Sequence, residues 1–322
     1  MGDVHHPRRG SLQYWPRKRS KHKLVRVRSW AKESKAKPLG FIGYKAGMTH
    51  LQLVDNRPKS LTKGEKIVSP ATILECPPLN VVGVSFYKKY LFGIKKNGSI
   101  LAKNLPKELK RKIQFPKKET AGWDKFADFD DLRLLVQSNF IPSSLSTKKP
   151  RLIEISLGGN KDDKLAYAKE SLGREIKVED VFNSGNLVDV RGVSKGKGFQ
   201  GTVKRYGVPI RQHKAEKTKR GIGNLGSWTP KRVEFSVAQP GKMGYHQRTE
   251  YNKQILKINS NGDSLNPKGG IVRYGLVNGP NLLVKGSVVG PKKRALLLTS
   301  SIRPNKKMFK EAPEITFVSQ RG

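Results

Sequence analysis

LVDVRGVSKGKGFQGTVKR, residues 187–205, decides how the rest of the chain is divided. Its first seven residues alternate valine with polar side chains and predict a β-strand. The pattern then dissolves into glycine and lysine. TVKRYGVPIR (202–211) follows, β-branched and stopped by Pro209, and no helix is predicted there. Residues 194–247 go on through HKAEKTKRGIGNLGSWTPKR and AQPGKMGYH, rich in glycine and poor in aliphatic side chains. A loop of this length with so little to bury is uncommon in a compact domain and usually functional. The expectation is that it cannot pack on itself and that another molecule orders it.

Outward from this loop, short apolar pieces are punctuated by glycine and proline. They are GFIGYKAGMTH (40–50), IVSPATILE (67–75), VVGVSFY (81–87), QILKI (254–258), NLLVKGSVV (281–289) and ALLLTSSI (295–302). Short strands separated by turn signals predict a closed β-barrel. Residues 88–185 read differently. WDKFADFDDLRLLVQ (123–137) spaces Phe126, Phe129 and Leu132 three apart, as a helical stripe. RLIEISLGG (151–159) predicts a strand, and DDKLAYAKESLG (162–173) a helix with acids at its start and Gly173 at its end. The predicted class is mixed β and α+β. It comprises a basic arm (1–38), a first barrel part (39–87), an α/β insertion (88–185), a second barrel part (186–302) carrying the 194–247 loop, and a C-terminal tail (303–322).

The 322 residues carry 65 Lys plus Arg against 25 Asp plus Glu, a net charge of +40. Such an excess repels itself and attracts polyanions. It is also unevenly spread: residues 119–190 hold 10 basic and 13 acidic side chains, residues 189–257 hold 16 and 4, and the arm 12 and 2. One stretch is therefore ordinary, and two need a polyanionic counterpart. A single cysteine, Cys76, excludes a disulfide framework and zinc sites built from cysteine pairs. No apolar run approaches the ~18–20 residues of a membrane span. The charged N-terminus predicts no signal peptide, and the expectation is a soluble, intracellular protein.

Each motif has a plainer reading beside the functional one. Gly196, Gly198 and Gly201 form a G-x-G-x-x-G, but a dinucleotide site needs a following helix and a ribose-binding acid about 20 residues on. Glycines alternating with Lys195 and Lys197 better suit a backbone lying against phosphates. Asp124, Asp128, Asp130 and Asp131 fall on one predicted helix and read as a solvated face, not as converging metal ligands. His213 and His246 stand among Lys and Arg without ligand spacing, so a phosphate or base contact is weighed against an inert surface histidine. Tyr14 and Trp15 in RRGSLQYWPRKRSKHK (8–23) can stack on bases or pack on the body, and RNA contact is the preferred reading. Trp228 in GSWTPKRV (226–233) lies outside any apolar period. It reads as a stacking anchor at a loop tip, with a protein-interface anchor as the alternative.

VDVRGVSKGKGFQGTVKR (188–205) resembles the signature of the universal large-subunit ribosomal protein L-three family. GFIGYKAGMTH, GSWTPKRV, PGKMGYHQRTEYNKQI (240–255) and NLLVKGSVVGPKKR (281–294) resemble it too, in the family's order, and RRGSLQYWPRKR resembles the arm of archaeal and eukaryotic members. The resemblance covers about residues 8–304 and looks archaeal in length. It implies a split, translation-protein-like β-barrel with an α/β insertion, direct binding to 23S-type rRNA, a part in early subunit assembly, and a loop reaching towards the peptidyl transferase centre. It further implies Trp228 at the loop tip and Lys195, Lys197, Lys204 and Arg205 at its root. Lys217, Lys219 and Arg220 fall on one side, and Lys231, Arg232, Lys242, His246 and Arg248 on the return; Arg211, His213 and Lys214 are counted with the expected rRNA-binding residues as well. Eukaryotic members carry a histidine where this chain has Lys219, so no histidine modification is carried over there.

The expected rRNA-binding set is completed by Arg8, Arg9, Tyr14, Trp15, Arg17, Lys18 and Arg19 of the arm and by Lys45. No catalytic residue, cofactor, small-molecule substrate or membrane partner is expected. Any structural Mg2+ or monovalent ions would be held mainly by rRNA. Ribosomal proteins L-fourteen and L-twenty-four-e are the expected neighbours, in the cytoplasmic large subunit. An rRNA-modifying enzyme with a basic clamp and a DNA-compacting protein are the alternatives; the first lacks a cofactor pocket, the second does not explain the signature.

Overall fold

The structure, a computed structural model, describes residues 7–116, 122–126, 128–138, 149–215, 217–308 and 311–320. The chain order is β1 (Gly40–Val54), β2 (Lys66–Glu75), β3 (Leu79–Tyr90), β4 (Gly93–Leu101), β5 (Asp131–Ser138), β6 (Leu152–Ser156), α1 (Lys161–Ser171) and β7 (Glu175–Ile176). Then come β8 (Leu187–Val193), β9 (Gly196–Gln200), α2 (Thr202–Tyr206), β10 (Gly241–Gly244), β11 (Gln247–Asn259), β12 (Asn281–Lys285), β13 (Ala295–Ser300) and β14 (Ile315–Val318). These elements sort into two compact units: the arm through His22 with residues 193–247, and residues 23–192 with 248 onward.

The larger unit is organised by β1. Its first eight positions are all buried, after which exposure alternates. Continuous burial follows from pairing and packing on both sides. β2 runs along it from Tyr44↔Glu75 to Val54↔Lys66, β13 pairs its first half (Gly40↔Thr299 to Tyr44↔Ala295), and β14 its second. β13 continues to β8, β8 to β11, β11 to β12 and β12 to β2, so the hydrogen-bonded path from β1 returns to β1. Phe41, Ile42, Leu74, Ile255, Leu282, Val284 and Leu298 are sealed in the core of this circuit. Asp189 of β8 is buried as well, and its carboxylate accepts the Asn252 and Ile302 N–H groups at 3.0 and 3.1 Å. Burial pushes the Cys76 thiol well above its ordinary range, so it packs as a small apolar group.

A second sheet of the same unit runs β4-β3-β5-β6, with β7 on β3. Three expectations are corrected here. Residues 81–87 lie in β3 and pair with β4 and β5, so a boundary at 87/88 cuts through a strand of this second sheet. Among the described residues of 123–137 there is no helix of the predicted length, but a 3-10 turn (Trp123–Phe126) and, from Asp131, the strand β5. Their three-residue spacing records convergence on one partner: Phe126 stacks on Phe86 at 5.1 Å and Phe129 meets it edge-on at 5.4 Å. Two of the acids meet cations on other elements, Asp128 on Lys88 and Asp131 on Lys164 at 3.0 Å, while Asp124 and Asp130 are exposed. Finally, residues 23–38 are no free arm. Val25 and Val27 are buried while Arg26 and Arg28 stay exposed, and the Lys37 and Glu33 carbonyls accept the Gly158 and Gly159 N–H groups. The strand β6 and helix α1 do stand where the sequence puts them.

Glu154 of β6 accepts hydrogen bonds from Tyr87, from Ser85 at 3.1 Å and from Lys96 at 3.3 Å. Burial pushes its carboxyl up, but Tyr87, Lys96 and Ser85 together outweigh burial and hold it below the ordinary carboxylate range. A depressed carboxylate stabilises the fold above its unfolded pKa, and that stability is lost as pH falls through the folded value. Wild type is therefore expected to melt higher than Glu154→Gln above about pH 4.3, the ordinary glutamate value, with the gap closing in more acid solution. Melting curves that stay parallel across this range would refute the assignment.

Candidate nucleic-acid interface

The smaller unit carries eighteen Lys and Arg between residues 7–22 and 193–247, against Glu216 and Glu234 alone. With so few aliphatic side chains, its packing is done by π-faces and backbone carbonyls. Trp15 stacks on Tyr206 at 5.7 Å and meets Phe235 edge-on at 5.9 Å. Arg17 lies over the Tyr206 ring at 4.2 Å and Arg205 at 5.1 Å. Both guanidinium groups are then tied to carbonyls, Arg17 to Arg205 O at 3.0 Å and Arg205 to Gln239 O at 2.7 Å. Tyr206 is buried and closes α2, which ends at Gly207 in the left-handed region at φ 72°.

This corrects two expectations. A helix does follow the glycine signature, and the two ends of the 194–247 stretch, about 194–206 and 236–247, pack with the arm, while the described residues of 209–235 stay almost wholly exposed, as expected. The missed signal was Tyr206 directly before Gly207, an aromatic at a helix C-terminus with a left-handed glycine behind it. The signature still makes no dinucleotide fold. β9 pairs antiparallel with β10 in a two-stranded ribbon, whereas that site needs a parallel βαβ unit. Gly244 makes the ribbon possible, since a Cβ there would lie 2.0 Å from the Lys195 carbonyl oxygen.

His246 is buried, and it is a fastener, not a surface contact. Its Nε2 accepts the Gly244 N–H at 3.1 Å, which leaves Nδ1 to donate to Lys18 O at 2.9 Å. Ser20 N–H donates to Tyr245 O at 2.8 Å beside it, and Arg8 donates to Ser236 O at 2.8 Å. Trp15 is likewise a packing residue, while Tyr14 remains exposed. Lys45, in the larger unit, is buried and donates to the Val288 and Gly290 carbonyls, so it closes the 285–294 turn and presents no charge outward. Arg9, Arg17, Arg205 and Arg248 are half-buried.

The remaining expected side chains face solvent. Arg8, Lys18, Arg19, Lys195, Lys197, Lys204, Arg211, Lys214, Lys217, Lys219, Arg220, Lys231, Arg232 and Lys242 are exposed, with His213 among them. Trp228 is 83% exposed, and among the described residues the cation over its ring is Lys231, with Nζ at 5.6 Å. Lys217 and Lys231 sit at φ 59° and 55°, left-handed conformations that non-glycine residues seldom adopt. Short turns hold this part, with Arg211 N–H on Lys219 O at 3.1 Å and the Arg211 guanidinium on Ile222 O at 3.0 Å. Among the described residues no three His, Cys, Asp or Glu side chains converge as metal ligands would. No described helix is long and apolar enough to cross a membrane.

A cationic surface on a unit built around VRGVSKGKGFQG matches a known family at full length. The family described as "Ribosomal protein L3" matches residues 1–131 and 127–321. The chain belongs to the ribosomal protein L3 family. Its relatives include the "Large ribosomal subunit protein uL3" of Methanocaldococcus jannaschii, 45% identical over 98% of this chain and 97% of the relative. The proteins of that name from Methanobrevibacter smithii and Archaeoglobus fulgidus are 43% and 41% identical over similar shares. L3 proteins are structural ribosomal proteins, not enzymes.

The two tryptophans of this L3 chain separate by role. Trp15→Ala should loosen the smaller unit by roughly 1–3 kcal/mol, below the ~3–5 of a fully buried aromatic, and expose the arm to trypsin. Trp228→Ala should leave both melting and trypsin resistance unchanged. Equal losses from the two substitutions would contradict the packing described.

Proposed function

We propose that this chain is a structural constituent of the large ribosomal subunit, in the cytoplasm, that binds 23S-type rRNA directly and early in assembly. The observation that carries this is the smaller unit: an aromatic–arginine centre surrounded by outward cations, with two acids across residues 7–22 and 193–247. Fixed cations on a small scaffold neutralise phosphates and release counterions, which lets crowded RNA helices approach one another. The name shared by the relatives, a large ribosomal subunit protein, supports the same reading.

On this reading the closed circuit through β1 and β13 is the family's split barrel, and the second sheet with α1 is its insertion. The exposed Trp228 segment is the part that extends towards the peptidyl transferase centre, where its ring stacks on unpaired bases. Lys195, Lys197, Lys204 and Lys242 meet phosphates nearer the β9–β10 ribbon, and Arg211, His213, Lys214, Lys217, Lys219, Arg220 and Arg232 line the extension. Any effect on peptide-bond formation is indirect, through the positioning of rRNA. Neighbouring proteins such as L-fourteen and L-twenty-four-e are the proposed protein partners, and ions at the site are bound by the RNA.

Affinity of the full chain for a large-subunit rRNA transcript should fall steeply with salt. With on the order of ten neutralised phosphates, the log–log slope is several units. The transcript should also outcompete duplex DNA at fixed salt. A flat salt response, or equal affinity for both nucleic acids, would overturn the reading.

A further inference from the structure

Beside the β9–β10 ribbon lies a cleft of about 290 Å³, lined by Arg19, Gly196, Gly198, Phe199, Lys242, Met243, Gly244 and Tyr245. We propose that this cleft holds a single unstacked nucleotide of the bound RNA, its base against Phe199 and Tyr245 and its phosphate on Arg19 and Lys242.

The chemistry of the lining selects that occupant. Phe199 is 72% exposed, in a β-strand whose other members are glycine, lysine and glutamine. Nothing in the protein's own packing asks for a phenylalanine there. Tyr245 faces the same space and is held in an uncommon conformation, φ 55°, by two backbone bonds. Its N–H donates to Lys195 O at 3.2 Å, and its carbonyl accepts the Ser20 N–H. These bonds fix the backbone at Tyr245 and with it the point from which its ring projects beside the ribbon. Arg19 lies over that ring, 5.0 Å from its centroid.

The cleft thus offers two aromatic rings, a guanidinium group and an ammonium group, with no acid in its lining. Gly196 and Gly198 leave the strand backbone bare along one side, so a ribose and phosphate can approach it closely. Its volume is at the small end of ligand pockets, the size for one nucleotide and not for a helix. Phe199 and Lys242 are directly opposed in the ribbon, so a stacking group and a phosphate-binding group stand on the same rung.

This inference rests on the rRNA-binding reading above, and the test separates the two. The full chain is bound to a large-subunit rRNA transcript, irradiated with ultraviolet light, and its peptide–nucleotide adducts are mapped by mass spectrometry. Adducts are expected on Phe199 or Tyr245, to one nucleotide. Gly196→Leu and Phe199→Ala should abolish them and weaken binding about five-fold or more, the contribution of one stacked base. Gly196 tolerates the first change, because a Cβ there meets Tyr245 at an ordinary 3.8 Å and its φ is not left-handed. Adducts elsewhere in the chain but none on these two rings would overturn the cleft proposal and leave rRNA binding standing. No adduct and no binding at all would overturn both. Saturable binding of free AMP or UMP at micromolar concentration, or a cross-link from these rings to a neighbouring protein in assembled subunits, would assign the cleft to another occupant and also overturn it.

Discussion

A guanidinium group over an aromatic ring is the contact on which the smaller unit depends. Its sequence offers almost no aliphatic surface, so the usual driving force of apolar burial is weak there. Tyr206 answers by receiving Trp15 on its ring and Arg17 and Arg205 as cations. Such contacts give about 0.5–1 kcal/mol when exposed and ~2 when desolvated, enough to organise a few turns but not to suppress the repulsion of many like charges. Backbone carbonyls of Arg205 and Gln239 accept the guanidinium N–H groups in place of carboxylates, which solvates the charges without cancelling them. Keeping acids out leaves the outward cations unquenched and available to a polyanion.

The larger unit is built on the opposite principle. Leu, Ile, Val and Phe from nearly every strand of the circuit are sealed into one core, and the few acids buried there are hydrogen-bonded within it. Asp189 receives two backbone N–H groups and Glu75 receives the Tyr274 hydroxyl, so each buried carboxyl group is hydrogen-bonded inside the fold. Lys45 belongs to this economy. A lysine in an apolar strand looks like a surface cation in sequence, yet its stem runs through the core and its ammonium closes a turn from beneath. His246 shows the same shift of role in the smaller unit, where both ring nitrogens are spent on backbone groups.

What the two units share is that side chains usually read as functional turned out to be fasteners when a carbonyl or an aromatic face lay within reach. Trp15 and Trp228 make the contrast. Both sit among prolines and cations and look alike in sequence; among the described residues one meets Tyr206 and Phe235 while the other, largely exposed, has Lys231 over its ring.

The amino-acid sequence by itself determined the charge segregation, the apolar strands of the circuit, helix α1, and a glycine–lysine signature specific enough to name a family. All of these are local: a period, a composition or a short string. It did not determine that Phe126 and Phe129 approach Phe86 from a turn and not from a helix, that Val25 and Val27 anchor the end of the arm, or that Trp15 and Arg17 pack on Tyr206. Those outcomes depend on which distant ring or carbonyl comes within a few ångströms, and a spacing of three residues, or a tryptophan beside a proline, is compatible with either result. Only the tertiary structure decides, because packing energy is set by the partner and the partner is remote in sequence.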